Sequence, residues 1–312
     1  MKDEMRFHYQ NRPEQFFEGW YYKCTDPAIG NFAVIAGISQ NEQQAQAFIQ
    51  IAHSSAISGY YAYPISAFHY REEPFRVQIG DSVFTKEQIH VKIASIGLEL
   101  QLRFTKQMPL PRSMLQPSIM GPLLYLPYLP CYHHIAALRS EVQGMISMQG
   151  SKTEIKQAYG YIEKDYGVSF PSGYAWAHGC SKEAMFVVAV AMVPFEKNTE
   201  RLGFFAVLQV QDKIYRFSSY QLGMVRRFSH YQSKLYIEVE QCLTQVSFHM
   251  EYQDGCMLKA PKQGGMDAVV EESLHCKAIV VMERRGTVLF DEVFDMATSE
   301  VFEYANMKFK QT

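Results

Sequence analysis

Apolar and polar side chains alternate with period two over much of this chain, and that alternation constrains the fold more than any other feature. In LELQLRF, Leu98, Leu100, Leu102 and Phe104 fall on one face and Glu99, Gln101 and Arg103 on the other. KLYIEVE sets Leu235, Ile237 and Val239 against Tyr236, Glu238 and Glu240, and QVSFHMEY continues with Val246, Phe248, Met250 and Tyr252. Successive side chains of a strand point to opposite faces, so such runs are half-buried antiparallel strands. Turn signals (DPAIGN, REEP, QDG, RRG) separate them, and no long stretch carries a 3.6-residue period. The pattern predicts an all-β chain of barrels or sandwiches.

The two halves resemble each other. Laying Gly19 on Gly173, an offset of 154, brings Trp20 to Tyr174, Tyr22 to Trp176, Phe32 to Phe186 and Val34 to Val188. Further on, Tyr61 meets Tyr215 and Tyr63 meets Phe217. Two similar β-domains in tandem, residues 1–150 and 151–312, account for this, with the join near 140–158. Trp20 and Trp176 stand near the start of each half, where a tryptophan either plugs a barrel or touches a ligand.

Composition narrows the partners. The 312 residues are 47% hydrophobic, enough for a sizeable core, and include 21 Phe and 20 Tyr, which suit strands and a ring-lined cavity. Net charge is −2 and no basic stripe occurs, which argues against a nucleic-acid partner. The opening MKDEMRFHYQNRPEQ has no apolar core, and the longest apolar run, Ala184 to Phe195, is too short to span a bilayer and contains Pro194. A cytoplasmic protein is expected. Six scattered cysteines without a CxxC pair fit reduced thiols. No serine-hydrolase elbow, P-loop or dinucleotide fingerprint is present, and neither cofactor nor metal is expected. In Cys131-Tyr132-His133-His134 the adjacent histidines would point opposite ways in an extended segment, and no spacing completes a metal site.

Several stretches stand out: FFEGWYY (16–22), MGPLLYLPYLPCYHH (120–134), GYIEKDYGVSFP (160–171), YAWAHGC (174–180), LKAPKQGGMDAVVEESL (258–274) and DMATSEVFEY (295–304). In this order they resemble the tocopherol cyclase-like family, with its FEGWY-type opening, proline-rich segment ending in CYH, GY-x-EK-(D/N)-WG-x-x-FP block and later L-x-AP and I-x-ES segments. The resemblance implies two tandem lipocalin-like antiparallel β-barrels, related to carotenoid hydratases. Tyr166 stands where the family has Trp, His178 and Cys180 take the places of a Gln and an Asn, and 297–300 lacks the family glycine.

The chemistry implied by the resemblance is acid-initiated ring closure on a lipophilic prenylated or polyene substrate. A proton goes to an alkene carbon, and the cation that forms is met by a phenol oxygen. The acid must stay protonated near neutral pH, which burial or a like-charged neighbour can arrange. Glu163 and Asp165, two apart, would share one face of a strand with Lys164 on the other, and are the expected catalytic pair. The competing reading is a solvated strand end. Tyr161, Tyr166, Trp20 and Trp176 are candidate cation-stabilising walls. Glu18 enters as a second pocket carboxylate on the resemblance. His133 and His178 are either polar pocket residues, His133 as a group that binds or deprotonates a phenol, or satisfied core histidines. The prolines of 120–134 preclude a regular central strand; that segment, with Tyr125, Tyr128 and Tyr132, would wall a cavity, form a lid, touch a membrane surface, or merely connect the domains. The alternatives to a cyclase or isomerase are a non-catalytic binder of a hydrophobic small molecule and an isoprenoid hydratase.

Overall fold

A computed structural model describes residues 4–9, 14–53, 58–127, 129–196, 199–253 and 255–307. The first sheet contains β1 (Phe16–Asp26), β2 (Gly30–Gln40), β3 (Ala45–His53), β4 (Gly59–Pro64), β5 (Phe68–Arg71), β6 (Arg76–Ile79), β7 (Ser82–Phe84), β8 (Gln88–Ile93), β9 (Leu98–Met108), β10 (Cys131–Met148) and β11 (Ser151–Gly167). Their order is β4-β3-β2-β1-β11-β10-β9-β8-β7-β6-β5, so the first and last long strands are neighbours and the sheet curls into a nearly closed, lipocalin-like barrel.

The second sheet repeats the plan with β12 (Tyr174–Cys180), β13 (Ala184–Glu196), β14 (Thr199–Val210), β15 (Lys213–Ser218), β16 (Met224–Tyr231), β17 (Lys234–Gln241), β18 (Thr244–Tyr252), β20 (Gly265–Arg284) and β21 (Thr287–Phe302). Its order is β15-β14-β13-β12-β21-β20-β18-β17-β16, with β19 (Cys256–Lys262) pairing β20 off that path. The strands foreseen at Leu98–Phe104, Leu235–Glu240 and Val246–Tyr252 form as expected, because alternation leaves each one apolar face to bury. The expected boundary at 150/151 lies at the tip of the β10–β11 hairpin, and the first sheet runs on through β11 to Gly167. The first compact unit comprises the chain to Met120, Pro130–Phe170 and Lys259–Ala268; the second holds Gly121–Leu129, Pro171–Leu258 and the chain from Val269.

Each unit has its own core. Trp20, Tyr22, Phe32, Phe84 and Phe104 fill the first, and Phe186, Val188, Phe204 and Phe248 the second. The registers test the 154-residue repeat. Trp20 pairs with Ala36 and Lys164, whereas Ala175 pairs with Val190 and Val301. Ala36 and Val190 are both core residues, and Phe32 and Phe186 correspond as expected. The counterpart of Trp20 is therefore Ala175, not Tyr174. One residue of difference reverses a strand's faces, so Trp20 plugs its barrel while Trp176, the counterpart of Tyr21, points away from the second core. The expected Trp20–Tyr174 and Tyr22–Trp176 equivalences are corrected accordingly.

The proline-rich segment forms a 3-10 turn at Gly121–Tyr125 and, among its described residues, no strand before Cys131, as missing amide donors dictate. Tyr125 is exposed, and Tyr128 lies outside the described residues. None of the six cysteines is in a disulfide. No helix among the described residues is long and apolar enough to cross a membrane.

Candidate functional site

The site is built on the pleat of β11. Ile162, Lys164 and Tyr166 point into the first barrel, and Tyr161, Glu163 and Asp165 point the other way. The strand ends at Gly167, whose φ of +152° and approach to Pro130 leave no room for a side chain: a Cβ would lie 2.2 Å from the Pro130 carbonyl oxygen.

On the face turned from the core, His133 of β10 lies directly opposite Asp165. Its Nδ1 is 2.8 Å from Asp165 Oδ1, and its Nε2 is 3.6 Å from Glu163 Oε2. The Tyr161 hydroxyl donates to Glu163 Oε2 at 2.6 Å. The His133 amide donates to Met120 Sδ at 3.1 Å, which fixes the start of β10. Burial alone would lower the His133 pKa; Asp165 and Glu163 outweigh it and raise the group to about 9. His133 is therefore an imidazolium at neutral pH, held between two carboxylates. Cys131 Sγ lies 3.9 Å from Asp165 Oδ1, and burial, then the two acids, push its thiol well up. Gly19 pairs across from Asp165, where a Cβ would be in ordinary contact with Ile35 Cγ2 at 3.6 Å, so the strand puts no side chain of its own beside the carboxylate.

His133, Glu163 and Asp165 also offer ligand atoms within 4.8 Å of one another, a set that could hold a cation. The imidazolium competes directly with that use, since Nδ1 faces Asp165 and the ring must lose its proton to ligate.

The inner face holds a different cluster. Lys164 and Glu18, both fully buried, form an ion pair. Lys164 also donates to the Arg6 carbonyl and lies 2.7 Å from His8 Nδ1, while the His8 amide donates to Glu18 Oε2 at 2.9 Å. Trp20 Nε1 donates to the Met5 carbonyl at 3.0 Å. Tyr166 is stacked between His8, at 3.8 Å, and Tyr132, at 4.8 Å. Burial lowers the Lys164 pKa against the pull of Glu18, and burial, then Lys164, lowers that of His134 well below its usual value.

The expected site residues thus divide. Asp165, Glu163, Tyr161 and His133 meet on one face of β11; Glu18, Trp20, Tyr132 and Tyr166 meet on the other, where the pleat keeps them from the acidic pair. The set of walls placed around the acids is corrected: only Tyr161 stands beside them on β11. Trp176 and His178 lie on β12 in the second unit, on the face turned from its core, with rings 6.2 Å apart. Tyr174 donates to Glu300 beside them. A concavity of about 470 Å³ in the second unit, lined by Glu251, Tyr252, His275 and Asp295 among others, contains none of these residues. Sequence reasoning missed His8, which carries no motif, and His134, although the opposed histidines at 133 and 134 follow from the strand geometry.

The profile described as tocopherol cyclase-like matches residues 101–302, about two thirds of the chain, including both the His133 strand and β11. The chain belongs to the tocopherol cyclase-like family. The FFEGWYY stretch lies outside the matched residues. CghA is similar in structure at 11% identity and a TM-score of 0.61, over 96% of this chain and 90% of that one. CghA with Sch210972 matches at 12% identity and 0.61, over 93% and 89%. An AttH candidate from Nitrosomonas europaea matches at 13% identity and 0.55, over 91% of each chain. At these identities the likeness establishes the lipocalin-like fold. No curated protein matches the chain.

Proposed function

We propose that this tocopherol cyclase-like protein is an acid catalyst that closes a ring on, or isomerises, a lipophilic prenylated or polyene substrate at the His133–Asp165–Glu163 cluster. One observation carries the reading: a half-buried imidazolium held between two carboxylates on a wall with a tyrosine and a glycine. An apolar substrate that expels water favours collapse of the ion pair into its neutral form, the proton passing from Nδ1 to Asp165 Oδ1. The carboxylic acid then protonates the alkene, whose π electrons form the new C–H bond. The tertiary cation left behind is stabilised by the Glu163 carboxylate and the Tyr161 ring. Attack by the substrate's phenol oxygen forms the C–O bond, and the phenolic proton returns to His133. No net proton or electron is consumed, so the cluster can perform the cycle with its own groups. The proton store differs from the sequence expectation: His133 carries the proton that a carboxyl was expected to hold, and Asp165 relays it.

The test is turnover of a prenylated hydroquinone in D₂O. One deuterium should enter at the alkene carbon of the cyclised product, and Asp165→Asn should lower the rate by about 10²-fold or more with ligand affinity little changed. Product carrying added water would identify a hydratase. A ligand recovered with neither a new ring nor deuterium at carbon would identify a binder and overturn the catalytic reading.

A further inference from the structure

Two turns in corresponding places, one in each unit, differ in length but end on a residue of the same left-handed conformation. In the first unit the Gln149 amide donates to the Gly97 carbonyl at 3.1 Å, and in the second the Arg285 amide donates to the Leu243 carbonyl at 3.3 Å. The sheet positions correspond: β8–β9 and β10–β11 in one, β17–β18 and β20–β21 in the other. Gly97 has φ of +61° and Leu243 has +64°. The conformation suits glycine, and the first unit supplies one; the second places a bulky apolar residue there, 56% exposed. Its partner in the two-residue turn, Cys242, also has positive φ, at +50°, where Asn-Gly is the usual choice. Neither local backbone preference nor core packing accounts for Leu243.

A second leucine repeats the anomaly beside it. Leu222 ends a 3-10 turn with φ of +63° and is 89% exposed. Gln241 ties the two tips together: its side chain accepts from the Ser218 amide at 3.0 Å and would lie 3.0 Å from a Cβ on Gly223. Met224 and Val288 are exposed on the same rim, and Arg284 and Arg285 stand exposed at the β20–β21 tip with Glu283 as the neighbouring acid. Arg226 is paired with Glu240 at 2.7 Å, and Arg227 lies over Tyr236, itself bonded to Glu238.

We propose that this rim of the second unit docks on the surface of an anionic lipid bilayer, with Leu222 and Leu243 inserted at the acyl boundary and Arg284 and Arg285 at headgroup level. Apolar residues standing singly on separate turn tips do not make the continuous surface, about 800 Å² per partner, of a usual protein interface; they suit a fluid phase that closes around each of them. The arginines reverse, locally, the sign of a chain of net charge −2, as attraction to anionic headgroups requires. The inference does not depend on the reaction proposed above.

The experiment uses the full chain with vesicles of phosphatidylcholine and phosphatidylglycerol in equal parts, against phosphatidylcholine alone. The wild type should co-float with the anionic vesicles, less so at high salt. Leu243→Gly and Arg285→Gln install the first unit's own residues at equivalent turn positions, so folding is expected to survive, as a melting curve will show. Arg285→Gln should weaken binding about five-fold, and Leu222→Asn with Leu243→Gly about ten-fold or more. An environment-sensitive dye on Cys242, the exposed cysteine, should shift to the blue with anionic vesicles. Failure of the wild type to co-float at low salt, or equal binding by folded variants, would overturn the proposal. So would concentration-dependent self-association abolished by Leu243→Gly without vesicle binding, which would assign the rim to a second copy.

Discussion

The wall made by β1 and β11 and the wall made by β12 and β21 hold the same place in their sheets, yet differ in where their charges lie. Through the pairing registers, Trp20 corresponds to Ala175, Lys164 to Val301, Glu163 to Glu300, Asp165 to Phe302 and Gly19 to Tyr174. Inside the second barrel this wall presents alanine and valine where the first carries tryptophan and lysine. On the other face, the second wall keeps a tyrosine–glutamate hydrogen bond, Tyr174 to Glu300, as the first has Tyr161 to Glu163. The second wall puts a ring, Tyr174, where the first has a glycine, and apolar Phe302 where it has Asp165. The topology therefore needs neither the buried ion pair nor the imidazolium cluster. Both are additions to a ladder that folds without them, and each face of β11 carries its own set of titratable groups.

The largest expected effect comes from breaking the inner pair. Lys164→Met leaves Glu18 buried without its cation and should cost about 3–5 kcal/mol in urea unfolding. Glu18→Leu with Lys164→Met makes that face apolar, as the second unit's is, and should recover most of the loss; a double variant as unstable as the single would show that the pair is structurally irreplaceable. Next is the contrast between histidines. His133→Gln should reduce turnover by about 10²-fold, roughly 2.7 kcal/mol, whereas His178→Gln, on β12 of the second unit, should change it by far less. Equal losses would place the chemistry elsewhere.

The pH dependence is subtler. His133 binds its proton more tightly folded, at about 9, than unfolded, near 6.5. Its stabilisation is complete below about pH 6.5 and is lost as pH rises through about 9. The urea midpoint should fall across that interval, and His133→Gln should flatten the slope. Gly167→Ala, which meets both an unfavourable φ and the Pro130 carbonyl, should cost about 1–3 kcal/mol and displace Asp165 more than it displaces any residue of the second wall. The smallest effect is a gain: Leu243→Gly relieves a left-handed leucine and should add up to about 1 kcal/mol in the same assay.

The strands were legible because alternation is a local consequence of the pleat, and so was the division of Glu163 and Asp165 from Lys164. The opposed faces of His133 and His134 followed from the same geometry. What could not be read was which side faced the core. Alternation assigns residues to two faces without saying which is inner, and β1 and β11 are apolar or buried on both. For that reason the sequence alone groups Trp20 and Tyr166 with acids from which the pleat of one strand separates them. The Trp20–Tyr174 equivalence failed for a related cause: matching letters tolerate a one-residue slip that pairing registers do not. His8 reaches Glu18 and Lys164 through the N-terminal segment, and nothing local in its sequence records that destination.

The two-sided use of β11 restricts how this protein can change over generations. A single insertion or deletion between Tyr161 and Lys164 would carry Lys164 to the outer face and an acid into the barrel, dismantling both clusters at once. Variation in this strand is confined to replacement of one residue by another at fixed length, and each face can drift in chemistry only while the other holds its frame.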